Sequence, residues 1–159
     1  MTVNVTGLNH AVLWVRDARA SAAFYTEALG FTVVDGDPAG RAVFLRAGAS
    51  ANHHDLGLFT VGERPSAPPH APGLYHLAWQ VDTIEDLVAT ARVLRERGAL
   101  VGATDHGVSK SLYAKDPDGI EFEVMWRVPP EAWSSDHAGL EPLDLDAELD
   151  RWAGVSTGS

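Results

Sequence analysis

Residues 7–15 read GLNHAVLWV, and residues 73–81 read GLYHLAWQV. Each copy opens on glycine, carries a histidine at its fourth position (His10 and His76) and ends on valine. Internal repetition decides an architecture before any single element does. The chain is a short structural unit used twice, with a chemically competent side chain at the same place in each copy.

Working outward, residues 8–15 alternate as a strand, with Ala11, Leu13 and Val15 on one face and His10, Val12 and Trp14 on the other. Asp17 suits the cap of a helix over Ala18–Leu29, with an apolar stripe of Ala20, Ala23, Phe24 and Ala28, and Gly30 suits its stop. Three short strands are predicted next, at 31–34, 42–46 and 54–61. Residues 62–73, GERPSAPPHAPG, hold four prolines and no periodicity, which predicts a linker. The order then repeats: a strand at 74–81, a helix at 84–97, and strands at 100–103, 110–115 and 120–126. Thr83 is the expected cap of the second helix, Ile84, Leu87, Val88, Ala91 and Leu94 its core face, and Gly98 its end.

The expected fold is α+β, two tandem βαβββ modules forming a curved, cup-like mixed sheet with the helices outside. One domain over 1–128 is expected, with module 1 at 5–62, the linker at 62–73 and module 2 at 73–128. An acidic C-terminal extension follows at 129–159. In it Leu145, Leu149 and Trp152 form one face of a short amphipathic helix that would dock on the body or on a partner. A small-molecule site is expected in a cleft at the module junction.

The composition, 45% hydrophobic with five tryptophans among 159 residues, supports a sizeable core. A net charge of −10 argues against nucleic acid, which needs clustered Lys and Arg. Much of that charge belongs to the tail, through Glu131, Asp136, Glu141, Asp144, Asp146, Glu148 and Asp150. With no cysteine, thiolate metal sites, disulfides and thiol nucleophiles are excluded. No apolar run is long enough for a bilayer span or a secretory signal, so a cytoplasmic protein is the expectation.

His10 and His76 are the first candidate ligands. A single strand histidine is usually a hydrogen-bonded structural residue. Equivalent positions in two modules, however, can meet across an approximate two-fold axis. A third, anionic donor is available in residues 116–125, DPDGIEFEVM. Here DPDG is a turn, after which Glu121, Glu123 and Met125 share one strand face and Ile120, Phe122 and Val124 the other. Alternating glutamates usually mark a solvated face. One of the two turned toward both histidines would complete a facial triad of two imidazoles and a carboxylate, which suits Fe(II) and leaves positions open. Two further clusters stand out: Asn52-His53-His54-Asp55, whose adjacent histidines would point to opposite faces of a strand, and residues 105–113, DHGVSKSLY, with His106, Ser109 and Tyr113.

The repeated module, the histidine of each first strand and the DPDG…E ending resemble the vicinal oxygen chelate superfamily. That superfamily includes glyoxalase I, bleomycin- and fosfomycin-resistance proteins and type I extradiol ring-cleavage dioxygenases. The resemblance covers about residues 5–128, and its details are closest to the extradiol branch. It implies that His10, His76 and Glu123 hold the metal, Glu123 lying four residues after the glycine of DPDG. It also implies that His54, in the run NHHDLGLF, is the acid–base catalyst, and that Tyr113 and His106 orient the diol oxygens. A glyoxalase site would need a Glu or Gln on the last strand of module 1, where residues 55–59 read DLGLF. Fosfomycin-type transferases need cationic contacts, and this chain has 12 Lys and Arg in all.

The implied activity is extradiol (meta) cleavage of a catechol-like aromatic ring by a non-haem Fe(II) dioxygenase, with Mn(II) as an alternative metal. Its partners would be a small aromatic diol and O2, neither nucleic acid nor membrane, and by analogy a second copy in a homodimer. Two other classes compete: a metal-dependent lyase or isomerase of the same superfamily, using Glu123 as base, and a non-enzymatic antibiotic-binding resistance protein.

Overall fold

The computed structural model describes residues 4–65, 68, 70–133 and 139–157. Residues 66, 67 and 69 of the expected linker, and 134–138, 158 and 159 of the expected extension, lie outside the described residues. The chain divides into two compact units, Met1–Ala67 and Pro68–Ser159.

Unit 1 follows the order β1 (Ala11–Val15), α1 (Ala18–Leu29), β2 (Thr32–Gly36), β3 (Ala42–Arg46) and β4 (Leu56–Thr60). Its sheet runs β1-β4-β3-β2, with β1 and β4 parallel and the other pairs antiparallel. The Asp17 carboxylate accepts hydrogen bonds from Arg19 N (2.8 Å) and Ala20 N (3.2 Å), which caps α1, and Gly30 ends it at φ 70°. The apolar stripe departs from expectation. Ala18, Ser21, Ala22, Tyr25 and Ala28 are buried, whereas Ala20 and Ala23 are exposed. Tyr25 enters the core beside Phe31, rings 6.0 Å apart, and the helix is rotated accordingly. The buried ring is the larger apolar surface, so it sets the rotation and the small alanines follow. Leu13, Val15, Leu45, Leu56 and Leu58 supply the sheet side of this core.

Unit 2 repeats the order with β5 (Leu77–Val81), α2 (Ile84–Glu96), β6 (Leu100–Asp105), β7 (Ser109–Lys115) and β8 (Glu121–Arg127). The tail adds β9 (Glu141–Pro142) and α3 (Leu145–Trp152), and the five-stranded sheet runs β5-β8-β7-β6-β9. Thr83 Oγ1 accepts from Asp86 N (3.1 Å) at the start of α2, and Glu85 and Asp86 in the first turn favour the positive end of the helix dipole. Ile84, Leu87, Ala91 and Leu94 are buried as expected, facing a sheet core that includes Leu112, Phe122, Val124 and Trp126. On β8 the alternation is as read from sequence, with Phe122, Val124 and Trp126 buried and Glu121, Glu123 and Met125 on the opposite, half-buried face.

The tail helix docks on its own unit. The Trp152 ring packs tilted against Trp126, centroids 5.6 Å apart, and α3 packs on α2. Lys110 is buried, its ammonium 2.5 Å from Asp105 Oδ2 and 3.1 Å from Glu148 Oε1 on α3. Among the described residues no helix is long and apolar enough to cross a membrane.

Candidate metal and diol site

Both repeated histidines sit one residue before their strands, at the mouths of β1 and β5 and not within the ladders. The expected strand at 8–15 is therefore shorter. Its pairing starts at Ala11 opposite Leu56, because β4 has no partner strand residue before that point.

In unit 1, the His10 ring lies 4.7 Å from the ring of His54, and His10 Nδ1 is 2.8 Å from Asn9 Oδ1. His54 leans on Phe44 at 5.1 Å, Phe44 on Phe59 at 5.8 Å, and Phe59 on the exposed Trp14 at 5.7 Å. The aromatic row continues the face that carries both histidines. His53 and His54 do not obey strand alternation, since residues 51–55 form a turn ahead of β4. Their Nδ1 atoms are 3.1 Å apart. Beneath this turn Asp55 is buried. Burial works against its charge, yet hydrogen bonds from Ser50 Oγ, Ala47 N and Asn52 Nδ2, with His54 nearby, hold its carboxyl below the usual carboxylate range.

In unit 2, His76 Nε2 is 3.2 Å from Glu123 Oε2, both side chains largely buried. Tyr113 is the cross-strand partner of Glu123, and its ring is 5.9 Å from His76. Tyr113 Oη is 2.8 Å from His106 Nε2, while His106 Nδ1 is 2.6 Å from the carbonyl oxygen of Gly139 in the tail. A carbonyl only accepts, so His106 Nδ1 carries the proton, and in the neutral ring Nε2 accepts from the phenol. Burial first, then Glu123, Tyr75 and Glu121, push the phenol above its ordinary value. Tyr113 thus stays protonated at neutral pH, donating to His106 while its oxygen remains able to accept from a ligand.

The two repeats differ at the place of the carboxylate. Glu123 lies opposite Ala78, two residues after His76, and in the first repeat Gly57 lies opposite Val12, two residues after His10. The first unit therefore has no carboxylate at the equivalent place. A Cβ on Gly57 would meet Phe44 and Val12 side chains at 3.4 Å, so this spot is given to packing.

Of the residues read from sequence, the structure brings His10 to His54, and joins His76, Glu123, Tyr113 and His106 into one group. Among the described residues no group of three His, Asp or Glu that could hold a metal stands together. The pair His76–Glu123 nevertheless fits an ion. Two donors bound at right angles to a metal at about 2.0–2.2 Å stand about 3 Å apart. His76 Nδ1 is buried with no hydrogen-bond partner among the described residues, which leaves Nε2 as the working atom of this ring. The reading from sequence singled out Asn52 and Asp55 only as neighbours of His53 and His54, and it missed Asn9 and Phe44. The asparagine preceding a histidine in both GLNH and NHHD was the available signal.

The model of the glyoxalase/bleomycin resistance protein/dioxygenase superfamily matches residues 7–124. The chain belongs to that superfamily. It is 32% identical over 139 residues to a catechol-2,3-dioxygenase of Bacillus subtilis (strain 168), covering 84% of this chain and 46% of that protein. It is 34% identical over 144 residues to a biphenyl-2,3-diol 1,2-dioxygenase 3 of Rhodococcus globerulus, covering 87% and 73%. The chain spans about half the length of the first of these relatives. Among solved structures, a glyoxylase/bleomycin resistance protein/dioxygenase domain from Frankia sp. EAN1pec superposes with a TM-score of 0.62 at 25% identity, over 80% of this chain and 96% of that one. Superfamily membership accounts for the repeated mixed sheets, and both of these curated relatives carry dioxygenase names.

Proposed function

We propose that this protein is a non-haem Fe(II) extradiol dioxygenase that opens a catechol-like ring, with His10, His76 and Glu123 as the three protein ligands. The observation that carries this reading is the His76–Glu123 pair at 3.2 Å with the Tyr113–His106 couple beside it. Two neutral imidazoles and one carboxylate are the donor set of oxygen-using Fe(II) sites, and the same nitrogen and oxygen donors also accept Mn(II). When bound, the metal lowers the pKa of a coordinated hydroxyl and lets the electron-rich diol react with O2. Both oxygen atoms enter the product, the carbon–carbon bond beside the diol breaks, and the diol supplies the electrons.

The chain's own residues handle binding and protons. Tyr113 Oη accepts from one diol hydroxyl, or donates to its oxygen once that proton has left. His106, fixed through Nδ1 on Gly139, accepts the phenol hydrogen at Nε2 in the first arrangement; in the second, the diol proton has passed through Tyr113 to Nε2, which then donates back to Tyr113 Oη. His54 acts as general acid–base, a role suited to imidazole near neutral pH. Phe44, Phe59 and Trp14 provide an apolar wall for the ring.

Anaerobic reconstitution with Fe(II), followed by a panel of substituted catechols and fused-ring diols under O2, tests this function. Uptake of one O2 per diol with a yellow ring-opened product is expected. Iron binding without oxygen uptake on any diol contradicts it and favours the lyase or isomerase class.

A further inference from the structure

His10 ends a chain of hydrogen bonds whose direction can be read from its far end. Asp55 Oδ1 lies 2.8 Å from Asn52 Nδ2, and the same nitrogen lies 2.9 Å from the backbone oxygen of Asn9. A carboxylate and a carbonyl only accept, so the Asn52 amide is fixed with its nitrogen toward them. Its oxygen then takes a hydrogen from Asn9 Nδ2 at 3.2 Å. That leaves Asn9 Oδ1 as the atom 2.8 Å from His10 Nδ1. An amide oxygen has no hydrogen to give, so Nδ1 must carry the proton. In the neutral ring the lone pair sits on Nε2.

We infer that Asn9, Asn52 and Asp55 are positioning residues that lock His10 in the Nδ1–H tautomer and present Nε2 as a metal donor. The inference rests on the reading of His10 as a ligand proposed above. Asp55 anchors the relay from below. Ser50 Oγ donates to its Oδ1 at 2.7 Å and Ala47 N to its Oδ2 at 2.8 Å, while Asn52 N is held 3.1 Å from Ser50 Oγ. The loop before β4 thereby grips Asn9, the residue before His10, although the partners are far apart in sequence. The partner of a ligating histidine's second nitrogen sets its tautomer and its basicity.

The second repeat does without this device. Tyr75 occupies the place of Asn9, and His76 Nδ1 has no hydrogen-bond partner among the described residues, its Nε2 facing Glu123 instead. The relay therefore belongs to the histidine whose repeat has Gly57 at the place where the second repeat has Glu123.

The test reads the His10 tautomer by 15N-detected imidazole NMR on the metal-free full chain, and the Fe(II) Kd by anaerobic titration. The parent should show neutral His10 as Nδ1–H. Asn9→Leu should release the ring to the Nε2–H form and weaken Fe(II) about 10–100-fold, the usual loss for a supporting residue of a metal ligand. Asn9→Asp loses the donor to Asn52 Oδ1 but keeps an acceptor for Nδ1–H, so it should keep the Nδ1–H tautomer and bind Fe(II) more tightly than Asn9→Leu, which a merely structural role would not do. Asn52→Leu should resemble Asn9→Leu in a milder form. A parent His10 found as Nε2–H overturns the inference whatever the variants do, as does an Asn9→Leu protein with parental tautomer and Kd. A parent that shows Nδ1–H and binds Fe(II) but opens no diol ends the dioxygenase reading and leaves the relay standing. Ring opening by a protein whose His10 is Nε2–H does the reverse.

Discussion

Tyr113 on β7 and Glu123 on β8 are direct cross-strand partners, and each reaches out to a histidine on a different element. Tyr113 Oη meets His106 Nε2 at 2.8 Å, and Glu123 Oε2 meets His76 Nε2 at 3.2 Å. One antiparallel pair thus couples the candidate ligand carboxylate to the group that would handle the diol proton. The negative charge of Glu123 is also one reason why the phenol stays protonated.

Tyr113→Phe keeps the ring beside His76 and removes only the hydroxyl. Turnover of a diol should fall about 10–100-fold, the scale of one lost hydrogen bond of about 1.5–3 kcal/mol to a charged partner. Fe(II) affinity should stay within about twofold. Steady-state kinetics and iron titration check this, and unchanged turnover would remove Tyr113 from the site.

His54→Ala leaves His10 and its Asn9 contact in place. Iron should be retained while turnover drops about 10²–10⁴-fold, as for a lost acid–base catalyst. Single-turnover kinetics with a pre-loaded protein measure it. A variant with parental rates shows that His54 is packing for Phe44 and nothing more.

Lys110 holds Asp105 and Glu148 from a buried position. Lys110→Met removes the buried ammonium that Asp105 and Glu148 share and should cost about 3–5 kcal/mol, read from urea denaturation. Amide exchange should show α3 (Leu145–Trp152) opening first. A loss under about 1 kcal/mol contradicts the role of this residue in fastening the tail.

Asp55 gives stability a pH dependence of defined sign. Its folded-state carboxyl is held below the unfolded value of about 3.9. The contribution is therefore fully present above that pH and drains away as pH falls through the still lower folded value. The stability difference between the parent and Asp55→Asn should be level from pH 5 to 7 and shrink below about pH 4. A difference that grows on acidification runs against it.

Much of this architecture can be read in the sequence because its signals are local. The Asp17 cap and the Gly30 stop bound α1 at Ala18–Leu29, and the alternation after DPDG sorts β8 into a core face and a glutamate face. The buried face of α1 could not be read, because its many alanines look alike around the helix and either Phe24 or Tyr25 could turn inward. Strand β9 escaped notice since two residues, one of them proline, carry no periodicity. In the site, His76 was legible from the repeat and Glu123 from the alternation after DPDG, whereas Tyr113 and His106 rested on the family resemblance. The Asn9–Asn52–Asp55 relay was not legible, since it joins the chain before β1 to the turn before β4, and an asparagine before a histidine in each segment does not say that the two meet.

The most direct test of the central claim is the iron content of four proteins after anaerobic Fe(II) loading and desalting: the parent, His10→Ala, His76→Ala and Glu123→Ala. The account predicts about one iron per parent chain and a loss of at least about tenfold in every variant, since each removes one of three donors. Full iron loading of His10→Ala, with loss confined to His76→Ala and Glu123→Ala, would contradict a single ion shared by both repeats.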